Sequence, residues 1–272
     1  MIVDLHIHTT ASDGSWTPAE LIEQVRLAGI GLFAVTDHDS VGSLAATARL
    51  AREAGLSFIP GVEICSTVRD RNFHILGYGI DHQSKPLEGL LRHNTELMKQ
   101  ADEDSIHKLI AQGLPINYAE YHDYRHNPAR GGWKSLSYLT DKGLCADVKE
   151  FFSKLFTAER GIVFPTFPSP QAVIATIHAA GGKAVLAHPG SDFHGTMLEE
   201  TLDSFVEEAI DGVECFHPSQ DDATSLRALR WCERHGLLIT GGSDCHGAFV
   251  PERRLGLPVL HMARLRLGSL LI

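Results

Sequence analysis

Nine side chains in this sequence are nitrogen or carboxylate ligand types standing at recurrent places: His6, His8, Asp13, His38, Glu63, His74, His188, Asp244 and His246. His6 and His8 lie two apart in an apolar run, so on an extended strand both point to one face. His38 follows a second apolar run, in TDHDS, Glu63 closes a third, in PGVEI, and His74 lies in NFHILGYG. His188 ends a further run in VLAHPG, and Asp244 and His246 end the last, in GGSDCH. Each fragment has an ordinary alternative. A lone His-x-His fits a core pair, an aspartate after glycines fits a turn, and a glutamate after Pro-Gly-Val fits a helix cap. Recurrence separates the pattern from these alternatives, because all but one of the seven expected strand ends carry a ligand type. A row of buried imidazoles and carboxylates with nothing between them would leave polar groups unpaired at high cost. The pattern predicts a metal site. A catalytic zinc takes about three protein ligands and keeps one position open, so these groups predict two or three divalent ions with a bridging carboxylate. Nitrogen and oxygen donors without thiolate suit Mn, Zn or Fe.

Such ligands need a frame that brings strand ends together. Strand signals at Ile2–His8, Gly31–Thr36, Leu56–Ile64 and Phe73–Ile80 alternate with helices at Pro18–Ala28 and near Val41–Ala54. Thr17 caps the first helix, with Pro18 at its first position, and Ser40 is the expected cap of the second. The alternation returns with helices at Gln171–Ala180, Leu198–Ala209 and Ala223–Arg234 and strands at Lys183–His188, Gly212–Phe216 and Leu237–Gly241. Repeated β-α-β order indicates a parallel sheet with helices outside it, and about seven strands suit a closed barrel. Ligands at strand ends would then converge on the face where such barrels carry their active sites. Residues 84–168 break the pattern, with helical stretches at Leu87–Gln112 and Leu144–Phe156 and little strand signal. They read as a mainly helical insertion in a discontinuous barrel of residues 1–83 and 169–272.

Composition narrows the function classes. Thirty-four acidic against 24 basic residues give a formal charge of −10, with 43% apolar and 21% charged residues. These are ordinary globular values. The acidic balance argues against a clamp on long nucleic acid, which needs a basic face, although bound cations can reverse a local field. Sixteen histidines are many beside 24 lysines and arginines, and histidine is the commonest metal ligand. Five cysteines (65, 145, 215, 232, 245) contain no CxxC pair and suggest a reducing compartment. No signal peptide or membrane span is visible, so a cytoplasmic location is expected.

The segments HIHTTASDGSWTP, TDHDSVGS, PGVEI, HILGYGID, AHPG and GGSDCHG together resemble the motif set of the PHP (polymerase and histidinol phosphatase) superfamily. They are most similar to its stand-alone bacterial metal-dependent phosphoesterases, including those that hydrolyse nucleoside 3′,5′-bisphosphates. The resemblance covers about residues 1–80 and 170–248. It implies an α/β fold, a distorted (β/α)7 TIM-like barrel, with a metal cluster at the C-terminal strand ends. It assigns a first ion to His6, His8, Glu63 and Asp244, a second to Glu63, His74 and His188, and a third to Asp13, His38 and His246. Some relatives carry histidine at the Asp13 position.

Water held between two such cations would lose a proton near neutral pH and attack phosphorus, while the cations neutralise the accumulating charge. Asp244 is then catalytic as well as a ligand. His217, in VECFHPSQ, is the candidate proton donor to the leaving group, with a structural role as its alternative. Asp37 and Asp39 flank His38 and could orient imidazoles or serve as caps. Arg130, Trp133 and Lys134, in PARGGWKSL, offer two cations and an aromatic face for gripping a phosphate and stacking a ring, and Arg69 and Arg71 precede His74. Nucleotide-hydrolysing relatives carry an Arg-Pro-His type sequence where this chain has Gly132-Trp133-Lys134. A cyclic or sugar phosphate therefore competes with the bisphosphate reading. The expected partner is a small phosphorylated substrate, with short oligonucleotide ends admissible and no membrane. A metal amidohydrolase acting on C–N bonds and a non-catalytic PHP module are the readings from other classes. The Asp244-Cys245-His246 ending and the Asp13/His38 pair favour the phosphoesterase.

Overall fold

A computed structural model describes residues 1–69, 71–190 and 198–271. Seven strands run in chain order around a barrel: β1 (Ile2–Asp4), β2 (Ile30–Val35), β3 (Ser57–Val68), β4 (Arg71–Tyr78), β5 (Lys183–Leu186), β6 (Gly212–Phe216) and β7 (Leu238–Gly241). An eighth, β8 (Leu260–His261), pairs antiparallel with β1. The circle closes where Leu5 donates to the Gly241 carbonyl at 3.2 Å and His8 to that of Cys245 at 2.9 Å. Ile7 and Cys245 form a parallel bridge there. Gly242 permits this closure, since a Cβ on it would stand 2.4 Å from the His6 backbone nitrogen.

The sheet is not uniformly parallel. β4 runs antiparallel to both β3 and β5, because only residues 69 and 70 separate it from β3, too few for a crossover. This reversal is the distortion in the barrel, and it corrects the expectation of parallel strands throughout. It also explains His74. On a reversed strand the N-terminal half lies beside the C-terminal ends of its neighbours, so His74 reaches the common face from within β4, paired with Cys65.

Helices α1 (Pro18–Leu27), α2 (Leu44–Glu53), α7 (Pro170–Ala179), α8 (Leu198–Glu207) and α9 (Asp222–His235) pack outside. Thr17 caps α1 as expected, in a reciprocal box with Glu20. Ser40 does not cap α2. The cap position is Ser43, whose hydroxyl donates instead to Asp37 at 2.6 Å. The barrel core joins the helices' apolar faces (Leu21, Val25, Val173, Ile177, Leu202, Trp231) to alternate strand residues.

Between β4 and α7 lie α3 (Lys85–Ala111), α4 (Tyr118–Asp123), α5 (Lys134–Asp141) and α6 (Val148–Glu150). The single helix expected over Leu144–Phe156 is instead α6 followed by a wider turn at Phe151–Leu155. These elements bury their own apolar cluster, centred on Ile106, Leu109, Tyr121, Tyr138 and Phe151, with Trp133 and Phe249 packed against it. Among the described residues, no helix is long and apolar enough to cross a membrane.

Candidate metal centre

The loops after β1, β2, β5 and β7, with β3 and β4, bring the expected ligands to one place. Glu63 is the hub. Its Oε2 lies 3.0 Å from His6 Nε2, 3.2 Å from His8 Nε2 and 3.3 Å from His38 Nδ1. Its Oε1 lies 2.9 Å from His74 Nδ1 and 3.1 Å from His188 Nε2. Asp244 Oδ1 stands 3.0 Å from His8 Nε2 and 3.4 Å from His6 Nε2. Asp13 faces His8 Nδ1 at 3.6 Å and His246 Nε2 at 3.4 Å. Among the described residues, five groups of ligand atoms lie within 4.8 Å of one another, and three consist only of expected ligands: His6, His8, Glu63 and Asp244; Glu63, His74 and His188; and His8, Asp13, His38 and His246. All nine expected ligands are brought together, and His8 borders two clusters.

These residues fit cations better than they fit each other. Both ring nitrogens of His8, His38 Nδ1 and Asp244 Oδ1 are buried without a hydrogen-bond partner, although oxygen and nitrogen stand close. Close approach without hydrogen-bond geometry is what ligands around a shared ion present. The carboxylates of Asp13, Glu63, Glu214 and Asp244 also require positive charge. Without ions the imidazoles supply it. Burial alone would lower the His8 pKa, but Asp244 and Glu63 outweigh it and push the group up to about 10. Burial would raise Glu63, yet the surrounding histidines hold it well below the usual carboxylate range. Bound cations would take over that charge and leave the imidazoles neutral, as ligation requires.

Backbone strain gathers here as well. Asp39, His188 and Asp244 adopt positive φ (44°, 28° and 50°), conformations that persist where surrounding contacts hold them. His188 is held by its N–H, which donates to Glu214 Oε2 at 2.8 Å. The other oxygen of Glu214 meets His6 Nδ1 at 2.9 Å. Glu214 is fully buried and absent from the sequence-derived ligand set, although an acid between Val213 and Cys215 in an apolar strand was a visible signal. Asp4 was also missed. Its carboxylate accepts from Ser243 N–H (2.9 Å) and Gly256 N–H (2.8 Å), fixing the loop that carries Asp244 and His246.

Other expected residues lie differently. Asp37 accepts from Thr9 N–H (2.7 Å), Ser12 (2.7 Å) and Ser43 hydroxyls, so it ties loops together rather than orienting an imidazole. Asp39, its carboxyl pushed up to about 6 by burial, accepts from Asn94 Nδ2 at 2.7 Å. That bond joins the His38 loop to α3. His217 is buried, with Nε2 3.1 Å from Asp244 Oδ2 and Nδ1 2.7 Å from Ser219 Oγ. Arg130 spends its guanidinium on Asp141, at 2.8 and 2.9 Å. Lys134 lies 4.3 Å over the Tyr121 ring and donates to the His122 carbonyl. Trp133 is closer to the centre: its ring meets Phe249 at 6.3 Å, and Phe249 meets His246 at 6.2 Å. The Gly132 N–H donates to the Asp13 carbonyl at 2.8 Å, which docks this loop beside an expected ligand.

The chain is similar to proteins already known. The PHP domain matches residues 4–143. A 3′,5′-nucleoside bisphosphate phosphatase of Chromobacterium violaceum is 31% identical over 93% of this chain and 90% of its own length. The 5′-3′ exoribonuclease Rnm of Escherichia coli is 31% identical, over 90% and 85%. A phosphoribosyl 1,2-cyclic phosphate 1,2-diphosphodiesterase of Eggerthella lenta is 29% identical, over 92% and 95%. Among solved structures, a protein of Bifidobacterium adolescentis provisionally assigned as a metal-dependent phosphoesterase superposes with a TM-score of 0.84 at 28% identity, covering 96% of this chain and 93% of that one. A Chromobacterium violaceum structure named an amidohydrolase, with bound sulphate, superposes with a TM-score of 0.79 at 31% identity, covering 90% and 87%.

Proposed function

The chain belongs to the PHP domain family and is a metal-dependent hydrolase of phosphate esters, and we propose that its substrate is a small nucleotide phosphomonoester. The observation that carries the site assignment is Glu63, whose two oxygens face separate sets of ring nitrogens. That arrangement suits a carboxylate bridging two cations. His6, His8, Glu63 and Asp244 would hold one, Glu63, His74 and His188 a second, and Asp13, His38 and His246 a third. Nitrogen and oxygen donors suit Mn, Zn or Fe. Cys65 lies near His38 and His74 but is outside this set of nitrogen and oxygen donors.

When bound, divalent cations would supply Lewis-acid charge to the ester and lower the pKa of water enough for a nucleophilic hydroxide to be available near neutral pH. The chain's own residues arrange the rest. Glu214 accepts the Nδ1 proton of His6, which leaves Nε2 as the free donor facing Glu63 and Asp244. His217, both ring nitrogens engaged, holds Asp244 Oδ2 so that Oδ1 turns toward the first set. That buried place suits positioning of Asp244 better than proton donation to a leaving group. Residues 84–168 act as the specificity subdomain, through the Gly131–Trp133 loop. The line of rings from His246 through Phe249 to Trp133 offers a wall for a base, which favours a nucleotide over a bare sugar phosphate.

The test is phosphate release by Mn-loaded protein from a panel of nucleotides, nucleoside bisphosphates, short oligonucleotides, cyclic phosphates and sugar phosphates. Release chiefly from nucleotide monoesters is expected. Preference for cyclic phosphates would move the substrate assignment to the second reading, which the Eggerthella relative suggests. Amide cleavage with no phosphate release would favour the amidohydrolase reading.

A further inference from the structure

We infer that Arg253, on the loop after β7, binds the phosphoryl group of the substrate directly. The inference rests on the phosphoesterase reading above. The loop that follows β7 carries His246, Phe249 and Arg253 in succession, so one segment supplies a metal ligand, a ring and a cation. Arg253 Nη1 is ion-paired with Asp244 Oδ2, the oxygen that also meets His217. Asp244 Oδ1 is the oxygen that faces His6 and His8.

The two partners are unequally exposed. The Asp244 side chain is 4% accessible, whereas that of Arg253 is 35% accessible. The guanidinium therefore runs from a ligand carboxylate out to solvent, with N–H groups beyond those Asp244 uses. Among the described residues it is the one lysine or arginine ion-paired with a member of the ligand set, and the stretch 191–197 contains neither residue. Arg130 and Lys134, the cations expected from sequence, are engaged by Asp141 and by Tyr121 and His122. A planar guanidinium forms paired, charge-assisted bonds to phosphate oxygens. In an acidic chain, Arg253 is thus the side-chain cation placed to share a phosphate dianion with the metal centre.

The experiment compares wild type with Arg253→Ala and Arg253→Lys, all Mn-loaded. Metal per chain is measured by plasma mass spectrometry, inorganic phosphate binding by calorimetry, and KM for a hydrolysed monoester by steady-state kinetics. Metal content should be unchanged in both variants. Phosphate Kd and monoester KM should rise roughly 10- to 100-fold in Arg253→Ala, the range for a lost hydrogen bond to a charged group. Arg253→Lys should fall between, and added guanidinium ion should restore part of the affinity to Arg253→Ala alone. Metal loss from both variants would overturn the inference, because Arg253 would then be holding Asp244 in place. Unchanged phosphate affinity, or no phosphate binding by wild type, would overturn it equally. If wild type binds phosphate through Arg253 yet cleaves no phosphate ester, the inference stands and the proposed function fails.

Discussion

Replacing Glu214 by glutamine keeps the shape of the side chain and removes one acceptor. In the native protein Oε1 takes the His6 Nδ1 proton at 2.9 Å and Oε2 takes the His188 N–H at 2.8 Å. A glutamine can satisfy only one of them. If its amide NH2 faces His6, the ring must shift its proton to Nε2, the nitrogen that would bind metal. If the NH2 faces His188, two donors collide where the backbone already holds φ at 28°. Each outcome disturbs a different ligand set, and both weaken the centre. Loss of such an outer partner costs about 10- to 100-fold in metal affinity, or about 1.4–2.8 kcal/mol. A buried donor left unsatisfied costs about 1–3 kcal/mol, so two independent routes give one magnitude. Competition of Mn(II) against a chromophoric chelator measures it. Wild-type and Glu214→Gln affinities agreeing within about twofold, which is under about 0.4 kcal/mol, would refute the reasoning.

If Glu63 bridges two ions as proposed, Glu63→Ala should lose two ions per chain, whereas Asp13→Ala should lose one and keep the pair on Glu63. Metal analysis after desalting decides this, and equal losses in the two variants would count against the bridge. The Thr17–Glu20 capping box lies outside the centre. Thr17→Ala should lower stability by about 1 kcal/mol in a urea titration while kcat/KM stays unchanged.

Much of the centre was legible because ligand chemistry is written in residue types. His6 and His8 announce a shared face, and Glu63, His188, Asp244 and His246 each close an apolar run. Glu214 escaped notice because its role depends on the His6 ring and the His188 N–H, which reach it from distant parts of the chain. The direction of β4 escaped because alternation reports which face is buried, not which way a strand runs. With the strands expected to end at Ile64 and begin at Phe73, the tight connection between them was hidden. Arg130 and Lys134 were chosen for charge and neighbourhood. Their partners Asp141 and Tyr121 lie 11 and 13 positions away in the chain, and only the folded insertion brings them together. Arg253 carried no local signal, since its partner Asp244 is reached only through the loop's path.

Hydrolysis in water enriched in 18O is the most direct test of metal-assisted attack at phosphorus. Released phosphate should carry one solvent oxygen, and release should stop when the ions are stripped and return when Mn(II) is restored. Label in the alcohol product instead, or release that persists in metal-free protein, would contradict it.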